Sequence, residues 1–403
     1  MLHSFEGRRS TSIRRCQLST KPVPMILATI FWLACGCAAW MTPLVMTIPQ
    51  RHRQIVLGYH SNPSNDESSQ VEQKSTAFPS SVETKPPSEK ATLKELVRSV
   101  NYFISRKCNY SCKFCFHTQK TTHHLTLEQA RLGLALLQQA GTEKINFAGG
   151  EPFLHPKLLG ELCRISSEEF GLAVSIISNG SLITQEWMQT YGRYVDVLGA
   201  SIDSFNDATN AAIGRGETSI AAGTSDSLLP TVKNKHVDRV LQVREWCRQE
   251  DIIFKVNTVV CSLNWQEDMT KEIQQLDPQR WKVFQVLLLE DENVGEAAMR
   301  DARPLVVSDD QFQEFLRRHE HLPQLIPEPN DVMQNSYLLL DEDMRFLDCS
   351  GGGKVPGESI LKVGVRHALL QAGFDHGMFQ ERGGVYDWKR QRDSNEPSKV
   401  ANG

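Results

Sequence analysis

From Ser99 onward the chain repeats one pattern, a short β-rich run followed by a turn and then an amphipathic helical stretch. The runs are Val100 to Ser105, Lys144 to Ala148, Ala173 to Ser178, Val195 to Ser201, Ile252 to Val260 and Trp281 to Leu289. A helix between two strands returns the chain to the edge it started from, so successive strands lie parallel with right-handed crossovers. Thr126 to Ala140 shows how such a helix is encoded. Thr126 and Gln129 form a capping box, Leu127, Ala130, Leu134 and Leu137 share one face, and Gly141 ends it. Six such units predict an α/β fold, a partial (β/α)6 barrel over residues 96–305, with reactive groups at the carboxyl ends of the strands.

The first strand end runs into Lys107-Cys108-Asn109-Tyr110-Ser111-Cys112-Lys113-Phe114-Cys115-Phe116-His117. Iron–sulfur cubanes are normally held by four thiolates, so the C-x3-C-x2-C set of Cys108, Cys112 and Cys115 would leave one iron of a [4Fe-4S] cluster open to a ligand. A structural zinc is the competing reading. It needs a fourth protein ligand, for which His117, Cys163, Cys247, Cys261 and Cys349 are the candidates, none of them in a second C-x2-C pair.

Gly149-Gly150-Glu151-Pro152 follows the second run directly. The glycines allow close backbone approach to a ligand, and Glu151 can accept a hydrogen bond from an ammonium group. A plain tight turn is the alternative for an isolated GGEP, and its place after the cysteine loop argues against that.

Together these motifs resemble those of the radical S-adenosylmethionine superfamily. Ser99 to Thr121, Glu143 to Leu154, Val174 to Ile183, Trp281 to Glu296 and Ser336 to Cys349 further resemble the viperin family within it, and matching segments run to about Trp388. The resemblance implies a radical S-adenosylmethionine barrel whose cofactor breaks down to a 5′-deoxyadenosyl radical. It implies hydrogen removal from the ribose 4′ carbon of a nucleoside triphosphate, CTP in animal members with UTP the alternative. Loss of the 3′ hydroxyl as water then leads to a 3′-deoxy-3′,4′-didehydro product.

Position by position, the resemblance makes Cys108, Cys112 and Cys115 the cluster ligands. Phe114, Phe116, Gly149, Gly150, Glu151, Ser178, Asn179, Ser201 and Arg215 become cofactor-binding residues. Asn101, Lys144, Lys255, Asn257, Arg280, Lys282, Lys354 and Arg382 become nucleotide-binding residues. Tyr337 becomes a candidate late donor of hydrogen or a proton, with a core tyrosine as the competing role. The residues themselves agree with a triphosphate: cations in or beside barrel strands are costly unless paired, and mixed lysine and arginine suits phosphate oxygens. Pairing with Asp or Glu inside the barrel is the alternative.

Residues 306–390 form a C-terminal extension closing the substrate site. Helices are expected at Ser308 to Glu320 and Ser359 to Ala372, and a hairpin joins Ser336 to Leu340 with Met344 to Leu347. Gly216 to Lys235 is small, polar and aperiodic, and is expected to be a loop insertion, with a substrate lid as the competing role.

A net charge of −4 argues against nucleic acid as a partner, and ten cysteines are too few for a disulfide scaffold, which favours a reducing compartment. Residues 1–21 are basic and 22–49 carry no charge, so an N-terminal membrane-anchoring helix is expected there. A secretory signal or a mitochondrial presequence are the alternatives. Residues 50–95 have the composition of a disordered linker and 391–403 of a disordered tail. The resulting expectation is a body on the cytosolic face of the endoplasmic reticulum or on lipid droplets. An electron donor and the iron–sulfur assembly machinery are its expected partners. Animal members of the family end in a tryptophan that recruits that machinery, where this chain ends Val400-Ala401-Asn402-Gly403.

Overall fold

In the computed structural model the described residues are 92–216, 218–221 and 231–390, with backbone only for 218–221 and 231–234. The expected basic segment, membrane anchor and tail lie outside them, as does nearly all of the linker. The first described element is a helical turn, Leu93–Leu96, capped by Thr92 and Glu95.

Six parallel strands carry the expected rhythm: β1 (Ser99–Phe103), β2 (Lys144–Ala148), β3 (Ala173–Ser178), β4 (Val197–Ser201), β7 (Ile253–Val260) and β8 (Arg280–Gln285). They lie side by side in that order, each paired in parallel with the next. The intervening pair β5 (Thr218–Ala221) and β6 (Thr231–Asn234) forms a separate antiparallel ladder, so the segment expected to be a plain loop is a hairpin in part. The C-terminal extension adds four strands to the same sheet. β9 (Leu325–Glu328) pairs in parallel with β8, and β10 (Leu339–Leu340) pairs in parallel with β1. β10 then continues through antiparallel β11 (Arg345–Asp348) and β12 (Val355–Ser359). β9 and β12 were not anticipated: each is short, and β9 contains the proline of Leu-Ile-Pro-Glu.

The helices follow their capping signals closely. Leu127–Ala140 begins at Thr126, whose side chain accepts from Gln129, and ends at Gly141 with φ 107°. Asp309–His319 starts on a Ser308 and Gln311 capping box. The expected helix from Ser359 is broken at Gly364, whose φ of 77° and ψ of 162° are not helical.

Strand alternation divides the sheet into two chemically different faces. Val100, Tyr102, Ile145, Phe147, Val174, Ile176, Leu198, Phe254, Val256, Trp281 and Val283 share the outer face. They merge with helical Leu134, Leu137, Leu159, Leu162 and Ile273 into one core. The inner face instead presents Asn101, Asn146, Ser175, Lys255, Asn257 and Lys282, with Gly199 leaving room beside Lys255. Near the carboxyl ends that inner face becomes apolar, where Phe103 and Ala148 pack with Leu347. A parallel sheet buried on both sides is ordinarily apolar throughout, so the polar inner half is the mark of a site.

Trp281 is fully buried and donates its indole N–H to the Thr258 hydroxyl at 2.9 Å. Trp281→Ala should therefore destabilise the body by about 3–5 kcal/mol, read from the urea unfolding midpoint. A loss below about 1 kcal/mol would mean that the outer-face core does not hold the sheet as described.

Candidate functional site

The cysteine loop is held against the carboxyl ends of the strands by backbone on both flanks. Gly150 donates to the Ser105 carbonyl and Glu151 to that of Lys107, each at 2.8 Å, while Lys113 donates to the Ile213 carbonyl at 2.9 Å. Gly149 has a φ of 124°, and a Cβ on Gly150 would overlap the Lys107 carbonyl. The close approach required of these glycines is thus first that of the cysteine loop's own backbone.

Glu151 is 1% exposed, and its carboxylate accepts from the Phe153 N–H at 3.0 Å and from the Ser178 hydroxyl and the Asn179 N–H at 2.8 Å. Burial raises its pKa and these donors oppose the rise. The expectation aims this carboxylate at an ammonium group, and the structure gives it an internal task as well, bracing two turns together. Asn179 donates to Asn109 at 2.9 Å and accepts from Ser181, which ties the Ser178-Asn179-Gly180 turn to the cysteine loop. Ser201 ends β4, and its carbonyl meets the ring of buried His236 at 2.8 Å. Arg215 pairs with fully buried Asp203 at 2.5 Å, an arrangement that raises the guanidinium's pKa against the cost of burial.

Cys108, Cys112 and Cys115 are free thiols, Cys112 buried and the other two half-buried. Burial pushes Cys108 up to about 11 and Cys112 up to about 12, with Arg215 opposing in both. Among the described residues no three His, Cys, Asp or Glu side chains converge as a metal-ligand set. The donor chemistry still suits an iron–sulfur cluster, with three thiols on one short loop facing a cationic Arg215. The zinc alternative loses most of its fourth ligands: Cys163, Cys247 and Cys261 are fully buried in the hydrophobic core on other elements. His117 accepts at Nδ1 from Lys354 Nζ at 3.0 Å and has its Nε2 buried with no hydrogen-bond partner, so it stays a candidate ligand together with Cys349.

Phe114 is buried, whereas Phe116 is 45% exposed and packs edge-on against Phe103. Lys354 stands here, its ammonium 4.5 Å from the Phe116 ring centroid, so its neighbours belong to the cysteine loop rather than to the other expected nucleotide cations. A buried ion pair fastens the far end of that loop. Arg106 meets Glu292 at 2.9 Å and Glu342 at 3.2 Å, while Thr118 donates to Glu292 through its N–H and its hydroxyl at 2.7 Å. None of Arg106, Glu292 and Glu342 is singled out in sequence, although each lies in a stretch that resembles the family, because their pairing joins positions far apart in the chain.

Toward the amino ends of the strands the expected cations do meet. Burial pulls Lys282 down to about 7 and Lys255 down to about 8, and Lys144 is pulled well below its ordinary range. Lys144 also feels Lys255, Lys282, Arg382 and Arg280. Lys282 donates to Glu328 and, at 2.9 Å, to the Tyr337 hydroxyl. Pairing inside the barrel, the alternative weighed from sequence, thus holds for Lys282. It does not extend to Lys144, Lys255 or Arg280, which form no ion pair among the described residues. Asn146 donates to Asn101 at 2.8 Å, and Asn146 Oδ1, Ser175 Oγ, Asn257 Oδ1 and Arg280 Nε are buried with no hydrogen-bond partner. Unpaired cations beside orphaned polar atoms suit a polar, polyanionic ligand.

Two aromatic residues given no site role in the sequence reading stand at the amino-end mouth. Tyr386 lies under the Arg280 guanidinium at 4.1 Å, and Lys144 faces the Tyr386 and Trp388 rings at 5.2 and 5.4 Å. Their i, i+2 spacing in Val385-Tyr386-Asp387-Trp388 was the available signal. Glu328 was missed for a plainer reason: one glutamate between two prolines carries no pattern.

A family model described as Radical SAM superfamily matches residues 102–273. The S-adenosylmethionine-dependent nucleotide dehydratase RSAD2 of Siniperca chuatsi is 51% identical over 295 residues, covering 72% of this chain and 79% of that protein. The protein of the same name from Danio rerio is 50% identical over 295 residues, covering 72% and 78%. In fold, the chain is similar to the crystal structure of Streptococcus suis SuiB bound to S-adenosylmethionine, with a TM-score of 0.50 at 12% identity, over 70% of this chain and 67% of that one.

Two outcomes follow from the geometry. Glu151→Gln places an amide N–H₂ among three donors and should destabilise the body by about 2 kcal/mol, measured by urea unfolding. A bound polyanion should return protons to Lys255 and Lys282, so calorimetry with sulfate, which carries no proton at pH 8, in buffers of different ionisation enthalpy, should show net proton uptake and an affinity that falls from pH 7 to 9. Proton release on binding would refute this placement of the lysines.

Proposed function

We propose, on the premise that this chain belongs to the viperin family of S-adenosylmethionine-dependent nucleotide dehydratases in the radical SAM superfamily, that it converts CTP to 3′-deoxy-3′,4′-didehydro-CTP, a chain-terminating antiviral nucleotide. The observation that carries this reading is the group of buried Lys144, Lys255 and Lys282 with half-buried Arg280 and Arg382 on one side of the sheet interior, with Glu328 as its carboxylate. Five cations against one carboxylate fit a triphosphate far better than a peptide or an uncharged metabolite.

The chain's own groups divide the work along the strands. At the carboxyl ends Cys108, Cys112 and Cys115 would hold a [4Fe-4S] cluster, with S-adenosylmethionine against the Gly149-Gly150 turn, Ser178, Asn179, Ser201 and Arg215. Together the bound groups supply a 5′-deoxyadenosyl radical. At the amino ends the cations would hold the phosphates, and the aromatic closure by Tyr386 and Trp388 would exclude water behind them. Asn101 and Asn257 line the stretch between, where a ribose would face the cysteine loop. Tyr337, with its hydroxyl on Lys282, is the candidate donor to the ribose after hydrogen removal. We further propose that the apolar segment 22–49 tethers this body to the cytosolic face of the endoplasmic reticulum or to lipid droplets, and that an electron donor and the iron–sulfur assembly machinery act on it there.

After anaerobic reconstitution, dithionite and S-adenosylmethionine with each of CTP, UTP, GTP and ATP in turn should give 5′-deoxyadenosine well above background with CTP. Preference for UTP or a purine would correct the base, and no acceleration by any triphosphate would end the nucleotide reading. Cys112→Ala should abolish the release.

A further inference from the structure

The catalytic proposal gives Glu328 no task beyond its charge. Glu328 is fully buried at the end of β9, in the middle of the cation group. Its Oε1 receives Lys282 Nζ and lies 3.7 Å from Arg382 Nη1, while its Oε2 is buried without a partner. The two cations it touches are also the two that hold Tyr337. Lys282 Nζ donates to the Tyr337 hydroxyl at 2.9 Å, and the Arg382 guanidinium stacks 3.8 Å from the Tyr337 ring centroid. Arg382 is fixed from the other side by donating to the Ser336 carbonyl at 3.2 and 2.9 Å, one residue before Tyr337.

Mere charge compensation does not account for this arrangement. A carboxylate placed only to offset the cations would serve best near Lys144 and Arg280, which have no ion pair among the described residues, whereas Glu328 reaches Lys255 only at longer range. Glu328 instead binds the pair that clamps one tyrosine from its hydroxyl and from its ring face. A carboxylate inside a phosphate site also weakens the field available to the ligand, so its presence needs a use beyond binding.

We propose that Glu328 is a positioning residue for Tyr337, acting beside its hydroxyl and through Lys282 and Arg382 to fix where the phenol points in the site. This rests on the nucleotide reading above. Glu328→Gln keeps the shape and one acceptor but removes the charge that orders both cations.

The test pairs a binding measurement on the cluster-free protein with a coupling measurement on the reconstituted enzyme. Calorimetry should show Glu328→Gln binding CTP within about threefold of wild type or more tightly. In the reconstituted enzyme, 5′-deoxyadenosine formed per dehydrated nucleotide should rise at least tenfold, with KM little changed. Tyr337→Phe should raise the same ratio, and the double variant should be no worse than Tyr337→Phe alone, because the two residues act as one unit. Glu328→Asp, which keeps the charge on a shorter arm, should recover part of the coupling, and it replaces the glutamine variant if that one does not fold. Binding and turnover lost in parallel, or effects of Glu328→Gln and Tyr337→Phe that multiply, would overturn the inference. A wild-type enzyme with no nucleotide-dependent 5′-deoxyadenosine would instead overturn the nucleotide reading, and this inference with it.

Discussion

Burying several positive charges on one face of a sheet is the constraint around which this molecule is arranged. An ammonium in a low-dielectric interior is costly unless it is paired or neutralised. Here burial and mutual repulsion depress the lysines, with Glu328 as the counter-charge for Lys282, Arg382 and, at longer range, Lys255, and aromatic rings set against others. The apolar outer face and its helices provide the packing that offsets this cost. A fold that keeps such a group intact without a ligand is primed for a polyanion, because binding relieves a strain already present.

The opposite end of the strands works by another principle. Three turns from different parts of the chain, at Cys108, Gly150 and Asn179, are joined by backbone and side-chain hydrogen bonds into one surface. Arg106 and Glu292 fasten its far edge. The sheet therefore separates a hydrogen-bonded loop assembly from a charged pocket, with the inner side chains of β1, β4 and β7 between them.

Much of this was legible in the sequence because it is written locally. Periodicity and caps placed the six parallel strands and the helices at Leu127–Ala140 and Asp309–His319 to within a few residues, Thr126 and Gly141 among the signals. The cysteine spacing and the two glycine-containing turns located the carboxyl-end surface. What escaped depends on distant contacts. β9, β12, Glu328 and the Tyr386 and Trp388 closure carry weak local signals and take their roles from what they meet across the fold. Lys354 shows the same limit from the other side: its charge was visible, but its seat beside His117 and Phe116 was decided by the path of β12.

The linear strand order has a consequence for how the protein is made. β1 forms early in the chain, yet its outer edge is completed by β10, and Asn101 bonds to the Leu338 carbonyl 237 positions later. The other edge waits for β9. A nascent chain can thus assemble its central parallel strands and its cysteine loop while both edges of the sheet are still unpaired. For a ribosome adding about 5–20 residues per second, that interval lasts on the order of ten seconds or more. During it the polar inner face is shielded by neither the C-terminal strands nor the aromatic closure, so this stage of synthesis is the exposed moment for aggregation.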